Sequence, residues 1–139
     1  MGDQDKLAGK RVLLVDDEPD ILEALKELLS MCVIKAASSF EESKYLLEYN
    51  NFDIAVLDIM GVDGYNLLEI AIKRNIIAGI LTAHALSLKD ALRSYRAGAS
   101  FYIPKDRMPD IEVVLIDVLE SIEQGRHPWW RWHERWLLF

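Results

Sequence analysis

Residues 54–57 form an uninterrupted apolar run that ends abruptly in Asp58 and continues into a loop with two glycines, residues 59–64. Unbroken hydrophobicity without alternation predicts a strand that is buried on both faces, as in parallel sheets covered by helices. Open α/β sheets bind ligands just outside the carboxyl ends of their strands, so Asp58 is the first candidate functional residue. A loop-capping aspartate is the alternative interpretation, because Asp is common in turns.

Three further apolar runs also end in polar or charged residues. They are residues 12–15 before Asp16 and Asp17, residues 77–81 before Thr82, and residues 101–104 before Lys105. In a parallel sheet these ends all lie along one edge. Residues 33–37 end instead in serines, and the flavodoxin-like strand order 2-1-3-4-5 would place that segment at the sheet edge, farthest from the shared site.

Helical patterns separate these strands. Pro19 is expected to begin the first helix, and capping boxes at Ser39–Glu42 and Ser87–Asp90 are expected to begin the second and the fourth. The third helix is expected from about Gly64 to Arg74. The fifth is expected from about Pro109, with Ile122 among its buried residues. The fourth helix carries its apolar residues at Leu88, Ala91, Leu92 and Tyr95. Five strands alternating with five helices predict an α/β fold, a doubly wound five-stranded parallel sheet with helices on both faces.

Composition limits the remaining possibilities. A chain of 139 residues that is 51% hydrophobic predicts one domain, residues 1–125, with a polar lead-in through residue 10 and a short extension, residues 126–139. The net charge of −7 argues against direct nucleic-acid binding. Cys32 is the only cysteine, which excludes an internal disulfide. With no apolar signal segment at the start, we expect a cytoplasmic protein.

The strand ends predict a metal site. Asp16, Asp17 and Asp58 would repel one another without a cation, and carboxylates are ligands that Mg²⁺ prefers. The hydroxyl of Thr82 and the ammonium of Lys105 could contact the remaining oxygens of a phosphoryl group. Asp58 would then be the nucleophile that forms an acyl phosphate.

These residues, in this order and spacing, resemble the receiver domain of two-component response regulators. The resemblance covers about residues 11–124 and rests on four motifs, residues 14–19, 57–58, 81–83 and 98–105. It implies that the acidic pair binds Mg²⁺ and that Asp58 accepts a phosphoryl group from a histidine kinase or phosphotransfer protein. It also implies that Thr82 and Tyr102 switch a protein-interaction surface and that Lys105 contacts the phosphate. The implied partners are a downstream protein target and a homodimer, and the implied catalysis is limited to the domain's own phosphorylation and dephosphorylation.

The sequence departs from the family pattern at two places. The loop after Asp58 lacks the usual Met-Pro and is shorter, although Met60 could still offer its backbone carbonyl to the metal. Asp106 stands where a proline usually follows the lysine, which leaves Pro104 as another candidate for a cis peptide bond. His84 lies near the expected mouth of the site, where it is either a modulator of hydrolysis or a solvated loop residue.

Two alternative functions remain beside the receiver interpretation, and the first follows from these departures. The first is a receiver-like scaffold that acts without phosphorylation. The second is a magnesium-dependent phosphatase with an aspartyl intermediate, although such enzymes carry a second acid two residues after the nucleophile, where this chain has Met60.

The C-terminal extension combines aromatic and basic residues. Trp129, Trp132, Trp136 and Phe139 recur at helical spacing with Arg131, His133 and Arg135 between them. A helix that docks on this molecule or a second copy, that binds the groove of a partner, or that lies on a membrane surface would each fit this pattern. The extension is too short for a DNA-binding domain, and the chain could be truncated from a longer protein.

Overall fold

A computed structural model of the chain describes residues 6–83 and 88–128. Five strands and five helices alternate along these residues, with a 3₁₀ segment before the last helix. In chain order they are β1 Arg11–Val15, α1 Pro19–Leu28, β2 Val33–Ala37, α2 Phe40–Tyr49, β3 Ile54–Leu57, α3 Gly64–Lys73, β4 Ile77–Thr82, α4 Leu88–Arg96, β5 Tyr102–Pro104, the 3₁₀ segment Lys105–Asp110, and α5 Ile111–Glu123.

The strands form one parallel sheet in the order β2-β1-β3-β4-β5, which confirms the predicted fold. All four residues of β3 are buried, as expected for a central strand between two layers of helices. The edge strand β2 has only Ala37 fully buried, so the segment that ends in serines does lie at the edge. None of the helices within residues 6–83 and 88–128 is long and apolar enough to cross a lipid bilayer.

Two predicted element starts are refined by the structure. At α2, Ser39 Oγ accepts the Glu42 backbone N–H at 3.2 Å, which confirms that half of the capping box. The Glu42 carboxylate, however, accepts the N–H of Ser38 and not that of Ser39. The last helix, expected from about Pro109, begins two residues later at Ile111, because Pro109 lies inside the 3₁₀ segment.

Burial also corrects three sequence predictions. Ile122 is 41% exposed, because it lies in the last turn of α5. Leu7 is fully buried within the expected polar lead-in, and its carbonyl accepts a hydrogen bond from Cys32 Sγ at 3.4 Å. On α4 the buried residues are Ala91 and Ser94 rather than the whole predicted apolar stripe. Ser87, the start of the second capping box, lies outside the described residues.

Candidate functional site

The first two strand ends place two carboxylates side by side. β1 and β3 pair in parallel with Val15 opposite Leu57, so Asp16 and Asp58 leave neighbouring strands at the same level. The Asp58 backbone N–H donates to the Val15 carbonyl at 3.0 Å, which continues the pairing into the site. Both aspartate side chains are buried.

The other two strand ends complete the edge. Thr82 is the last residue of β4, opposite Pro104 of β5, and Lys105 follows directly. Thr82 and Lys105 line one wall of a cleft of ≈ 240 Å³ at the carboxyl end of the sheet. The residues that line this cleft are Asp17, Glu18, Asp58, Met60, Gly61, Thr82, Ala83 and Lys105.

The ammonium of Lys105 forms ion pairs with three carboxylates in this cleft. Lys105 Nζ lies 3.0 Å from Asp16 Oδ2, 3.0 Å from Glu18 Oε1 and 3.7 Å from Asp58 Oδ1. Burial alone would lower the pKa of Lys105, but its contacts with Asp16 and Glu18 raise that pKa above its ordinary value. Lys105 is therefore a fixed positive charge above the floor of the cleft.

The environment of Asp58 disfavours its charged form. Burial, and after it the negative charge of Asp16, raise the pKa of Asp58 from 3.8 to about 6, although the positive charge of Lys105 opposes both effects. The pKa of Asp16 is also raised, because burial outweighs the hydrogen bond from the Glu18 backbone N–H and the contact with Lys105. Both groups would be stabilised as carboxylates by an additional cation.

The donor set fits a hard divalent cation. Carboxylate oxygens of Asp16, Asp17 and Glu18 lie within 4.8 Å of one another. The buried Asp16 Oδ2 accepts no directed hydrogen bond from the described residues, although Lys105 Nζ is close enough for an ion pair. With Asp58, four carboxylates face one ammonium, so the cleft has negative charge in excess and oxygen ligands for Mg²⁺.

Glu18 is a site residue to which sequence reasoning assigned no role. It directly follows the acidic pair at the same strand end, and this third consecutive acid was the available signal. Its carboxylate bonds Lys105 and joins the cluster of oxygens.

The loop after β3 approaches the acidic pair closely. Gly61 has φ +82°, and a Cβ atom at this position would overlap the carboxylate of Asp17. The bare backbone at Gly61 is therefore required by both conformation and space. The Met60 side chain is 60% exposed at the cleft and supplies no carboxylate, as a second acid at this position would.

The two predicted switch residues lie on the same face of the sheet. Thr82 is opposite Pro104, and Tyr102 precedes Pro104 by two residues, so both side chains project to one side. Both are buried, and burial and the charge of Asp90 on α4 raise the pKa of Tyr102, which keeps its phenol protonated. Every peptide bond among the described residues is trans, including the bond before Pro104.

A polar network connects α3 to α4 beside these residues. The Tyr65 hydroxyl donates to the Asp90 carbonyl at 3.4 Å, and Ser94 Oγ donates to the same carbonyl at 2.8 Å. The Arg93 guanidinium stacks over the Tyr65 ring, 3.8 Å from its centroid. His84, predicted near the mouth of the site, lies outside the described residues.

Comparison with known proteins identifies the family. The family model described as "Response regulator receiver domain" matches residues 12–116. The chain is 35% identical over 111 residues to the two-component response regulator ARR18 of Arabidopsis thaliana, covering 75% of this chain and 17% of that protein. It is 27% identical over 122 residues to the nitrate/nitrite response regulator protein NarL of Escherichia coli K12, covering 82% of this chain and 53% of NarL.

Solved structures agree with this result. A CheY-like response regulator receiver domain protein from Methanospirillum hungatei superposes with a TM-score of 0.72 at 28% identity, covering 85% of this chain and 100% of that one. The BeF3-activated receiver domain of DrrB superposes with a TM-score of 0.71 at 26% identity, covering 81% and 98% of the two chains. The chain spans about half of NarL and a smaller part of ARR18. With the matching fold and cleft, these similarities show that the chain belongs to the response regulator receiver domain family of two-component systems.

Proposed function

We propose that Asp58 is the phosphoacceptor of this receiver and takes its phosphoryl group from a histidine kinase or phosphotransfer protein. The observation that carries the proposal is the position of Asp58 at the floor of the cleft, between an excess of carboxylates and the ammonium of Lys105. No other described aspartate combines burial at a strand end with a lysine ammonium and an open cleft in front of it.

The reaction requires an ionised Asp58. With a pKa of about 6, the side chain is mostly a carboxylate at neutral pH. One of its oxygens attacks the phosphorus of a phosphohistidine, a P–O bond forms, the P–N bond breaks with its electron pair going to nitrogen, and the departing imidazole takes up a proton from water. The product is an acyl phosphate on Asp58.

Three carboxylates and one carbonyl would hold Mg²⁺ here. We assign them to Asp16, Asp17, Asp58 and the backbone carbonyl of Met60, with Glu18 as a further oxygen in reach. When bound, Mg²⁺ neutralises the oxygens of the transferring group. Lys105, held 3.7 Å from Asp58 Oδ1, provides the second positive charge for these oxygens and orients them. Positioning and charge neutralisation are the main contributions that phosphoryl transfer needs, so the domain would promote its own phosphorylation and dephosphorylation.

The phosphoryl group would change the protein through Thr82 and Tyr102. Its charge of about −2 at Asp58 attracts the Thr82 hydroxyl toward the cleft, which frees space on the face of the sheet that Tyr102 shares. The negative charge of Asp90 acts on Tyr102, and the hydrogen bond from the Tyr65 hydroxyl to the Asp90 carbonyl connects this part of α4 to α3. The surface of α4, β5 and α5 is thus the surface that we expect to meet a target protein or a second copy.

Intact mass measurement after incubation with a small phosphodonor tests this assignment. We expect wild type to gain one phosphoryl group in the presence of Mg²⁺ and none with a chelator. Asp58→Asn should gain none, while Asp106→Asn, an exposed aspartate next to Lys105, serves as the matched control and should behave as wild type.

Uptake by Asp58→Asn equal to that of wild type would contradict the assignment. No uptake by the folded wild type would favour a scaffold that acts without phosphorylation, since the loop after Asp58 is shorter than the family pattern. Turnover of a small phosphate ester that is lost in Asp58→Asn would favour the phosphatase alternative.

A further inference from the structure

We propose that residues 129–139 of this chain dock on the exposed apolar stripe of α4 in the same molecule. The stripe consists of Leu88, Leu92 and Tyr95, which recur at i, i+4 and i+7 and so share one side of the helix. Leu88 is 55% exposed and Tyr95 is 38% exposed, and Leu92 is half-buried. An exposed apolar stripe of this kind is typical of a surface that another segment or protein covers.

The chain after α5 turns back in a defined way. Gly125 has φ +74°, its N–H donates to the Ile122 carbonyl at 3.0 Å, and the Arg126 N–H donates to the Ser121 carbonyl at 2.8 Å. These two bonds form a Schellman motif, which ends a helix and reverses the chain. This backbone geometry at Gly125 and Arg126 therefore sets the direction in which the chain leaves α5.

The reversed chain reaches α4. The ring of His127 lies edge-on to the ring of Tyr95, with centroids 5.0 Å apart and planes at 85°. The His127 side chain also hydrogen-bonds the backbone of Ala99, just before β5, and Pro128 is buried. His127 thus lies against the C-terminal end of the stripe, two residues before residue 129 in the chain.

The sequence of the segment is complementary to the stripe. Trp129, Trp132 and Trp136 are spaced by three and four residues, and the stripe read backwards from Tyr95 has the same spacing. Eleven residues are long enough to follow the stripe from Leu88 to Tyr95, whose eight residues span about 10 Å of helix.

The flanks of the stripe add a second attraction. Lys89 and Arg96 are exposed beside it, and Trp is the side chain whose aromatic face binds such cations best.

The occupant is this molecule's own segment because the contact of His127 with Tyr95 already tethers it to α4. A tethered segment has an effective concentration in the millimolar range, far above that of a second copy in dilute solution. The docking does not depend on the proposed phosphorylation. Its consequence does: the segment would compete with a target protein for the surface that Asp58 is proposed to control.

Tryptophan fluorescence tests the proposal directly. All four tryptophans of the chain lie within residues 129–136, so the intrinsic emission reports only on this segment. In the 139-residue chain without metal or phosphodonor, we expect a blue-shifted emission and protection from acrylamide. Leu88→Asp and Tyr95→Asp should each shift the emission to the red and raise the quenching constant by roughly two-fold, because the docked population falls. Tyr49→Asp, at an exposed tyrosine on α2, is the matched control and should change neither quantity.

Four results would overturn the proposal. Fully quenchable tryptophans in wild type would show that the segment does not dock, and a blue shift that appears only with anionic phospholipid vesicles would make a membrane its site. An emission unchanged in both α4 variants, with circular dichroism showing that they fold, would place the segment elsewhere. Protection that disappears on dilution, together with a fall in mass by light scattering, would make a second copy the occupant. Since no phosphodonor is present, these results are independent of whether Asp58 is phosphorylated.

Discussion

Replacing the buried charge at the floor of the cleft should stabilise the metal-free protein. Asp58 has a pKa of about 6 in the fold against an ordinary 3.8, so the folded protein binds a proton more tightly than the unfolded chain. Below pH 3.8 both states are protonated, and the residue adds no penalty. As the pH rises through 6, the folded state must accept the buried charge, and stability is lost across this window.

The magnitude follows from the size of the shift. About two pKa units at 1.36 kcal/mol each give a penalty of ~3 kcal/mol at pH 7 and above. Asp58→Asn has nearly the same shape without the charge, so its free energy of unfolding should exceed that of wild type by ~3 kcal/mol at pH 8. Near pH 4 the difference should fall to about 0.5 kcal/mol, and well below pH 3.8 it should vanish.

Urea denaturation at a series of pH values, with a chelator present, measures this difference. Mg²⁺ should close the gap at pH 8, because the wild-type site binds the ion more tightly than the Asn variant and is stabilised by mass action. Asp106→Asn, with its side chain exposed, should match wild type throughout. A gap between wild type and Asp58→Asn that is the same at pH 4 and pH 8 would refute the reasoning, since a constant difference cannot arise from a titrating group.

Three other substitutions have defined outcomes. Gly61→Ala should weaken Mg²⁺ binding by at least about ten-fold in calorimetric titration, because its Cβ would displace the Asp17 carboxylate and its φ disfavours any side chain; unchanged affinity would show that Asp17 is not a ligand. Gly79→Ala should destabilise the fold by roughly 1–3 kcal/mol in urea, because the new methyl group would overlap the Phe101 ring; a loss well below 1 kcal/mol would mean that the ring moves freely. Ser39→Ala should cost about 1 kcal/mol in the same assay through loss of the α2 cap, and Ser39→Gly should recover part of it.

The strands and their order could be predicted because each strand is encoded locally. An apolar run such as residues 54–57 has no alternation, and its polar end marks the edge of a parallel sheet. The position of Ile122 could not be predicted in this way, because helical periodicity shows which side a residue faces but not where the neighbouring layer ends. Leu7 was missed for a related reason, since a single apolar residue in a polar segment has no periodicity.

The candidate site was predictable only where chemistry follows strand ends. Asp16, Asp58 and Lys105 are each the first residue after a strand, so topology alone brings them together. The contact of the Tyr65 hydroxyl with the Asp90 carbonyl joins α3 to α4 through residues that are 25 positions apart in the sequence, and no local pattern encodes it. Such contacts depend on how α3 and α4 pack, which is a property of the assembled fold.

The shared ammonium of Lys105 also makes the site sensitive to ionic strength. The ion pair of Lys105 with Asp16 is buried, whereas its ion pair with Glu18 involves a carboxylate that is 60% exposed. Mobile ions screen exposed pairs much more than buried ones. Added salt should therefore weaken the ion pair between Lys105 and Glu18 first. The fraction of molecules in which Lys105 contacts only Asp16 and Asp58 should then rise. The reactivity of the floor of the cleft would then follow the salt concentration of its surroundings as well as the supply of phosphoryl groups.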